Sequence, residues 1–270
     1  MKNPTSAWII TAGLCTAICA PASADTERSA SISDLVSLEF VDDRGRSFSR
    51  YPAHSERSSV YRAYLEARPE TEYSIRVQNR SEHRIGLVIA VDGRNIISGE
   101  RSELAASESM YILDPYESAS YSGWRTSSEA VNRFFFTTLR DSYASRIGDE
   151  SAIGVIAAAV YRERPSRVRA GEPQANARHR PQAVPEAADS ALVEEAERSA
   201  QAGTGFGESQ HARAIRVAFS PQRRARAWLY FKYEWAEQLC TRRVKRCGPQ
   251  NRFWPEPAGT DTGFVPYPPG

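Results

Sequence analysis

The chain is expected to fold as an all-β protein, an antiparallel β-sandwich or jelly roll with one helix carried on a linker. Three observations predict this class. Short runs alternate apolar and polar residues, turn-forming clusters separate them, and helical periodicity is nearly lacking before residue 161.

Val36, Leu38 and Phe40 share one face of the first run, and Val60 and Tyr64 share a face of another. Tyr73, Ile75 and Val77 alternate with Ser74, Arg76 and Gln78. Turns are predicted at Asp42-Asp43-Arg44-Gly45, Arg68-Pro69, Asn79-Arg80-Ser81 and Asp114-Pro115. The runs Leu87 to Val91 and Arg94 to Ile97 flank Asp92-Gly93, a pair suited to a two-residue type I′ hairpin because both central residues need positive φ. Phe134-Phe135-Phe136 and the run from Ile153 to Val160 are apolar on both faces, which predicts central strands covered on each side. Just before the phenylalanines, Thr126-Ser127-Ser128-Glu129 has the spelling of a capping box and predicts a brief helical turn.

Beyond residue 163 the alternation stops, and Pro165, Pro173, Pro181 and Pro185 punctuate a stretch read as a disordered linker over 164–188. Asp189 to Ala202 predicts one helix, with Glu194 and Arg198 at the favourable spacing of four and Gly203 as its stop. Ile215 to Phe219 and Trp228 to Trp235 predict two strands that return to the sandwich, since a lone pair of strands buries too little surface. The expected organisation is a leader (1–24), a sandwich domain (25–163), the linker (164–188), a helix with returning strands and a Cys-closed loop (189–247), and a Pro-rich mobile tail (248–270).

Composition and the amino terminus narrow the class further. With 41% hydrophobic and 25% charged residues, the 270-residue chain is neither collagen-like, low-complexity nor a multi-span membrane protein. Lys2, a largely apolar run from Ala7 to Ala20 and the small residues Ala22-Ser23-Ala24 have the form of a secretory signal peptide with cleavage after Ala24. The run is too short to span a bilayer, so no transmembrane span is expected in the mature protein, which is placed in the periplasm or outside the cell. Cleavage leaves Cys240 and Cys247, an even pair expected to form a disulfide in an oxidising compartment. A zinc site would need two more ligands, so no metal is expected.

The net charge of +2 conceals an uneven distribution. Residues 25–160 carry −5, whereas residues 161–270 carry +6. Arg242, Arg243, Lys245 and Arg246 follow the aromatic residues Trp228 and Tyr230, making this segment a candidate anionic-surface binder. A solvated basic surface explains the excess more simply, and the excess is small for a nucleic-acid partner, so none is expected.

The sequence contains no Gly-x-Ser-x-Gly elbow, His-Glu-x-x-His pair, P-loop, Cys-x-x-Cys or calcium loop. No cofactor and no enzymatic activity are therefore expected. His54, His83, His179 and His211 lie in turn-like or linker sequence and read as solvated. Gly203-x-Gly205-x-Gly207 follows an expected helix instead of a strand, so it lacks the geometry of a pyrophosphate loop. Trp124 and Arg125 with Asp141, Tyr143 and Arg146 are candidate ligand-binding residues, an aromatic face for stacking and arginines for clamping an anion. The competing reading makes Trp124 core and pairs Arg146 with Asp141. Asp92 and Asn95 either shape the hairpin or bind.

Six ordered motifs add a resemblance: Val91-Asp92-Gly93-Arg94-Asn95 with Ser98-Gly99, Gly123-Trp124-Arg125, Asp141-Ser142-Tyr143-Ala144, Gly154-Val155-Ile156, Tyr161-Arg162-Glu163, and Gly203-Thr204-Gly205-Phe206-Gly207-Glu208. Over residues 36–240 the chain resembles a family of uncharacterised exported proteobacterial proteins. The resemblance implies a Gram-negative source and the periplasm; it carries over no activity and no catalytic residue. The expected function is a secreted, non-catalytic β-sandwich that binds or builds in the cell envelope, with an envelope protein or polysaccharide as partner. Two alternatives stand beside it: an envelope hydrolase or carbohydrate binder using Trp124, Asp141 and Tyr143, and an anionic-surface binder using the basic carboxyl-terminal segment.

Overall fold

Successive side chains of a strand point to opposite faces, so an alternating sequence becomes one buried and one solvated surface. The computed structural model describes residues 35–165 and 201–247. There, β1 (Val36–Asp42) buries Val36, Leu38 and Phe40, and β4 (Glu72–Asn79) buries Tyr73, Ile75 and Val77. The two pair antiparallel from Val36 opposite Asn79 to Asp42 opposite Tyr73.

These strands belong to a seven-stranded sheet in which β1, β4, β10 (Ala130–Thr138) and β12 (Ala202–Thr204) follow one another. Against β4 lies β8 (Ser118–Tyr121), and against β10 lie β9 (Gly123–Arg125) and β13 (Ser209–His211). The second seven-stranded sheet runs in the order β2 (Arg50–Ala53), β3 (Val60–Ala67), β14 (Ala227–Trp235), β11 (Val155–Arg162), β5 (Ile85–Val91) and β6 (Arg94–Asn95), with β7 (Tyr111–Leu113) also on β5. Pairing is antiparallel except between β14 and β3, which run parallel from Trp228 opposite Val60 to Trp235 opposite Ala67. The chain is an all-β sandwich.

The inner faces meet in one hydrophobic core with an aromatic spine. Tyr73 stacks on Phe136 at 4.3 Å, Phe136 meets Tyr233 of β14 at 5.1 Å, and Phe40 meets Phe231 edge-on at 4.8 Å. Phe134 and Phe136 bury completely while Phe135 lies half-buried on the outer face of β10. Every residue of β5 is buried and β11 lies between β14 and β5, as continuous apolar runs require of central strands. Asp92 and Gly93 join β5 to β6 with φ of 49° and 77°, the two positive values the hairpin needs.

Two elements differ from the sequence expectation. Residues 126–129 form no helical turn: Val131 pairs with Arg125, and the intervening loop is closed by Thr126 N and Ser127 N donating to the Ala130 carbonyl. The Ser127 hydroxyl accepts from Glu129 N, so the capping-box spelling serves a hairpin loop too short to wind a helix. Ile215 to Phe219 is not a strand, because no other segment pairs with it among the described residues. It runs past the sandwich with Ile215 74% and Val217 49% exposed. Of the helix expected over 189–202, all but its last two residues lie outside the described residues, and Ala202 opens β12. The leader, most of the linker and the Pro-rich tail also lie outside them. Helices are short among the described residues: α1 (Tyr143–Arg146), capped by the Ser142 hydroxyl, and α2 (Ala236–Thr241). None is long and apolar enough to cross a membrane.

Cys240, in α2, is bonded to Cys247. The loop it closes is small, and a chain-entropy estimate gives about 2.5 kcal/mol for such a cross-link. Unreduced, denatured protein should therefore show no free thiol from this pair, and replacing both by serine should lower unfolding stability by up to that amount in urea titration. Close strand approach sets a second expectation. A Cβ at Gly123 would overlap the Asn132 carbonyl oxygen and stand 3.0 Å from the Arg133 Cα, both backbone atoms that cannot swing aside. Gly123→Ala should cost at least about 2 kcal/mol in the same measurement, the upper part of the range for overpacking.

Candidate functional site

A buried carboxyl group sits where the two sheets meet. Asp92 is fully buried, and its carboxylate is held by three parts of the chain. Oδ1 accepts from Gly154 N at 2.8 Å and from the Tyr233 hydroxyl, and Oδ2 accepts from Thr204 N at 2.8 Å. The Thr204 hydroxyl then bonds both Tyr233 and Tyr73 at 2.9 Å. Burial pushes the Asp92 carboxyl up to about 6, against the opposing pull of Tyr233 and the Thr204 and Gly154 amides. Burial also raises both tyrosines well above their ordinary range, Tyr233 with the added repulsion of Asp92. Every polar atom of this cluster faces another member or the backbone, so the arrangement is a tie between layers.

Asn95 has a matching role one strand later. Its Oδ1 accepts from Ile97 N at 2.9 Å, and its amide donates to Ser109 O at 2.9 Å and to Glu108. Glu108 in turn accepts from Glu103 N and Ala105 N, which fixes the loop between β6 and β7.

Solvent reaches the sandwich in a groove of about 950 Å³ at the edge where β7 of one sheet and β8 of the other come side by side. Its floor holds Tyr111 and Tyr121, stacked at 4.1 Å. Arg125 lies over Tyr111, donating from Nε to the Tyr111 hydroxyl at 2.9 Å and from Nη1 to Ala212 O at 2.8 Å. The opposite wall is the segment through Ile215 and Val217. That segment is anchored at one end by Ala212 N and Ala214 N, which donate to Glu129 O and Ser128 O. At the other end Phe219 lies under the Arg84 guanidinium, in the space a Cβ at Gly86 would need.

Trp124 is 3% exposed, donates Nε1 to Gly205 O at 3.0 Å, and packs on Phe134 and on Tyr143 at 4.7 Å. Tyr143 stacks on Phe206 at 5.3 Å, so these aromatics come together. Arg125, the next residue on β9, projects from the other face into the groove. Asp141 is exposed and accepts from the Thr138 hydroxyl at 2.9 Å; Arg146 is exposed at the end of α1 and forms no ion pair with Asp141. In the basic segment, Arg242 pairs with Glu234 at 2.8 Å and Lys245 with Glu66 at 2.9 Å, while Arg243 and Arg246 are exposed. Gly203, Gly205 and Gly207 let the chain lie against β10 and Ser142: a Cβ at Gly205 would overlap the Phe135 ring, and one at Gly203 would stand 2.6 Å from the Ser142 Cβ.

Sequence reasoning did not find Thr204, Tyr73 and Tyr233 as partners of Asp92, nor Tyr111 and Tyr121 as a floor. A threonine between two glycines was the available signal for the first, since such spacing marks close backbone approach. Comparison of the chain with protein-family models, with curated proteins and with solved structures finds no match.

Neutral Asp92 is favoured in the folded state, whose pKa of about 6 exceeds the ordinary 3.8. Its contribution is complete below the lower value and lost as pH rises through the higher one, a change of about 3 kcal/mol. In urea titrations, wild-type stability relative to Asp92→Asn should rise by about that amount from pH 7 to pH 4. A difference that stays constant across this window would show that the buried carboxyl does not titrate there.

Proposed function

We propose that the protein is an exported, non-catalytic binding module of the bacterial cell envelope and that the groove between β7 and β8 is its binding site. The observation that carries this reading is the groove itself: an aromatic floor, two uncovered aliphatic side chains and a positioned arginine on a rigid sandwich edge. Sites of this make-up bind more often by shape and apolar contact than by charge alone. The form of the leader and the disulfide favour an exported location. The use of Asp92 and Trp124 in holding the layers together favours a structural role for the residues that most resemble catalytic or stacking groups.

The test uses Ile215→Asp and Val217→Asp, two exposed positions whose change should leave Tm within about 1 °C of wild type. Immobilised wild-type protein should retain at least one envelope component, polypeptide or polysaccharide, that both variants release. Equal retention by all three proteins would overturn the groove as the site. Turnover of glycoside, ester or peptide substrates that a single change at Asp141 abolishes would overturn the non-catalytic reading.

A further inference from the structure

The segment from Ile215 to Phe219 has the composition of a strand and yet pairs with no other segment among the described residues. Ile215, Val217 and Phe219 alternate with Arg216 and Ala218, and none of their backbone N–H or C=O groups has a hydrogen bond to another described residue. Ile215 and Val217 are two of the few large hydrophobic residues left exposed among the described residues. The facing wall of the groove is also an open edge. Asn79 N donates to Glu117 O, which directs the backbone groups of Glu117, Ala119 and Tyr121 toward β4. Alternation along an antiparallel strand turns those of Ser118 and Ser120 the other way, where β8 has no neighbouring strand among the described residues.

Charge narrows what could fill the space. The groove is lined by Arg84, Arg125, Arg213 and Arg216 against Asp114 and Glu117. Arg84 is taken up by Asp114 and Glu163, and Arg213 lies near Glu129. Arg125 bonds only neutral oxygens, and neither it nor Arg216 has a carboxylate within ion-pair distance among the described residues. An open strand edge, an aliphatic wall and two uncompensated guanidinium groups therefore lie along one groove.

We infer that the groove binds an extended acidic peptide, which adds to the free edge of β8 as a further strand, sets alternate apolar side chains against Ile215 and Val217, and places carboxylates at Arg125 and Arg216. Main-chain pairing supplies affinity in such strand addition, and alternate side chains supply selectivity. The arginines favour an acidic sequence over a basic one. A second copy of this chain is the less suited occupant, because it would bring its own Arg213 and Arg216 toward those already present. The inference rests on the groove being the binding site and adds the class of partner.

The probe is a capped seven-residue peptide alternating valine and glutamate, titrated into the isotopically labelled full-length protein and followed by amide NMR. Two control peptides carry lysine for glutamate, or N-methyl groups on alternate amides. The glutamate peptide should shift the amides of Ser118, Ser120, Ile215 and Val217, and both controls should bind at least about tenfold more weakly. Ser120→Pro, which removes an outward donor without touching the β4 pairing, should abolish the shifts. Should that variant fail to fold, Arg216→Glu keeps the test readable, because it should weaken the glutamate peptide about tenfold and favour the lysine one. Equal binding of glutamate and lysine peptides, insensitivity to N-methylation, or no binding at millimolar peptide would overturn the inference. So would shifts of the same amides on raising protein concentration alone, which would assign the edge to self-association. If no peptide binds while an envelope component still depends on Ile215, strand addition fails and the groove reading survives; if both are negative, both fail.

Discussion

The fold depends on keeping one carboxylate dry. Asp92 lies at the junction of the two sheets, and removing it from water is costly unless its oxygens are fully engaged. Gly154 at the start of β11, Thr204 in β12 and Tyr233 in β14 supply the three donors, from segments far apart in the chain. Tyr73 and Tyr233 bring large rings to the core; the Tyr233 hydroxyl is satisfied by Asp92 and Thr204, and the Tyr73 hydroxyl by Thr204. The polar cluster therefore fixes which part of one sheet faces which part of the other, a selectivity that hydrophobic contact alone does not provide.

Elsewhere the sandwich manages its edges in two ways. Along β1, the Phe40 carbonyl accepts from Phe48 N and the Leu38 carbonyl from the Arg50 guanidinium, so the outer rim is already occupied by the chain's own groups. At β8 no such cover is present among the described residues, and the rim opens into the groove. Since uncovered strand edges invite pairing with other chains, a fold that protects one edge and leaves another open has made that edge available.

Much of this architecture was legible from residue order. Alternation at Val36 to Phe40 and Tyr73 to Val77 gave the buried faces, Asp92-Gly93 gave the hairpin, and the two late cysteines gave the disulfide. These signals are local, and local sterics decide them. The Asp92 cluster was not legible because its partners are chosen by tertiary proximity: Thr204 and Tyr233 are ordinary residues until the sheets close on them. Ile215 to Phe219 misled for the same reason in reverse, since strand propensity describes what a segment can do and a partner decides whether it does. The groove joins Tyr111, Tyr121 and Arg125 to residues some 90 positions later, a separation no periodicity records.

The position of β14 has a consequence for how the molecule is made. It is the last strand of the described chain, yet it lies in the middle of its sheet, between β3 and β11. Until residue 235 has emerged, β3 and β11 have no intervening neighbour and Tyr233 cannot reach the carboxylate. The second layer cannot be completed before that segment is available, because β14 supplies the pairing that joins β3 to β11. Topologies with such long-range pairing fold slowly and expose unpaired strands meanwhile. A helper that shields those strands would have its substrate in the incomplete chain, and the finished sandwich would no longer present it.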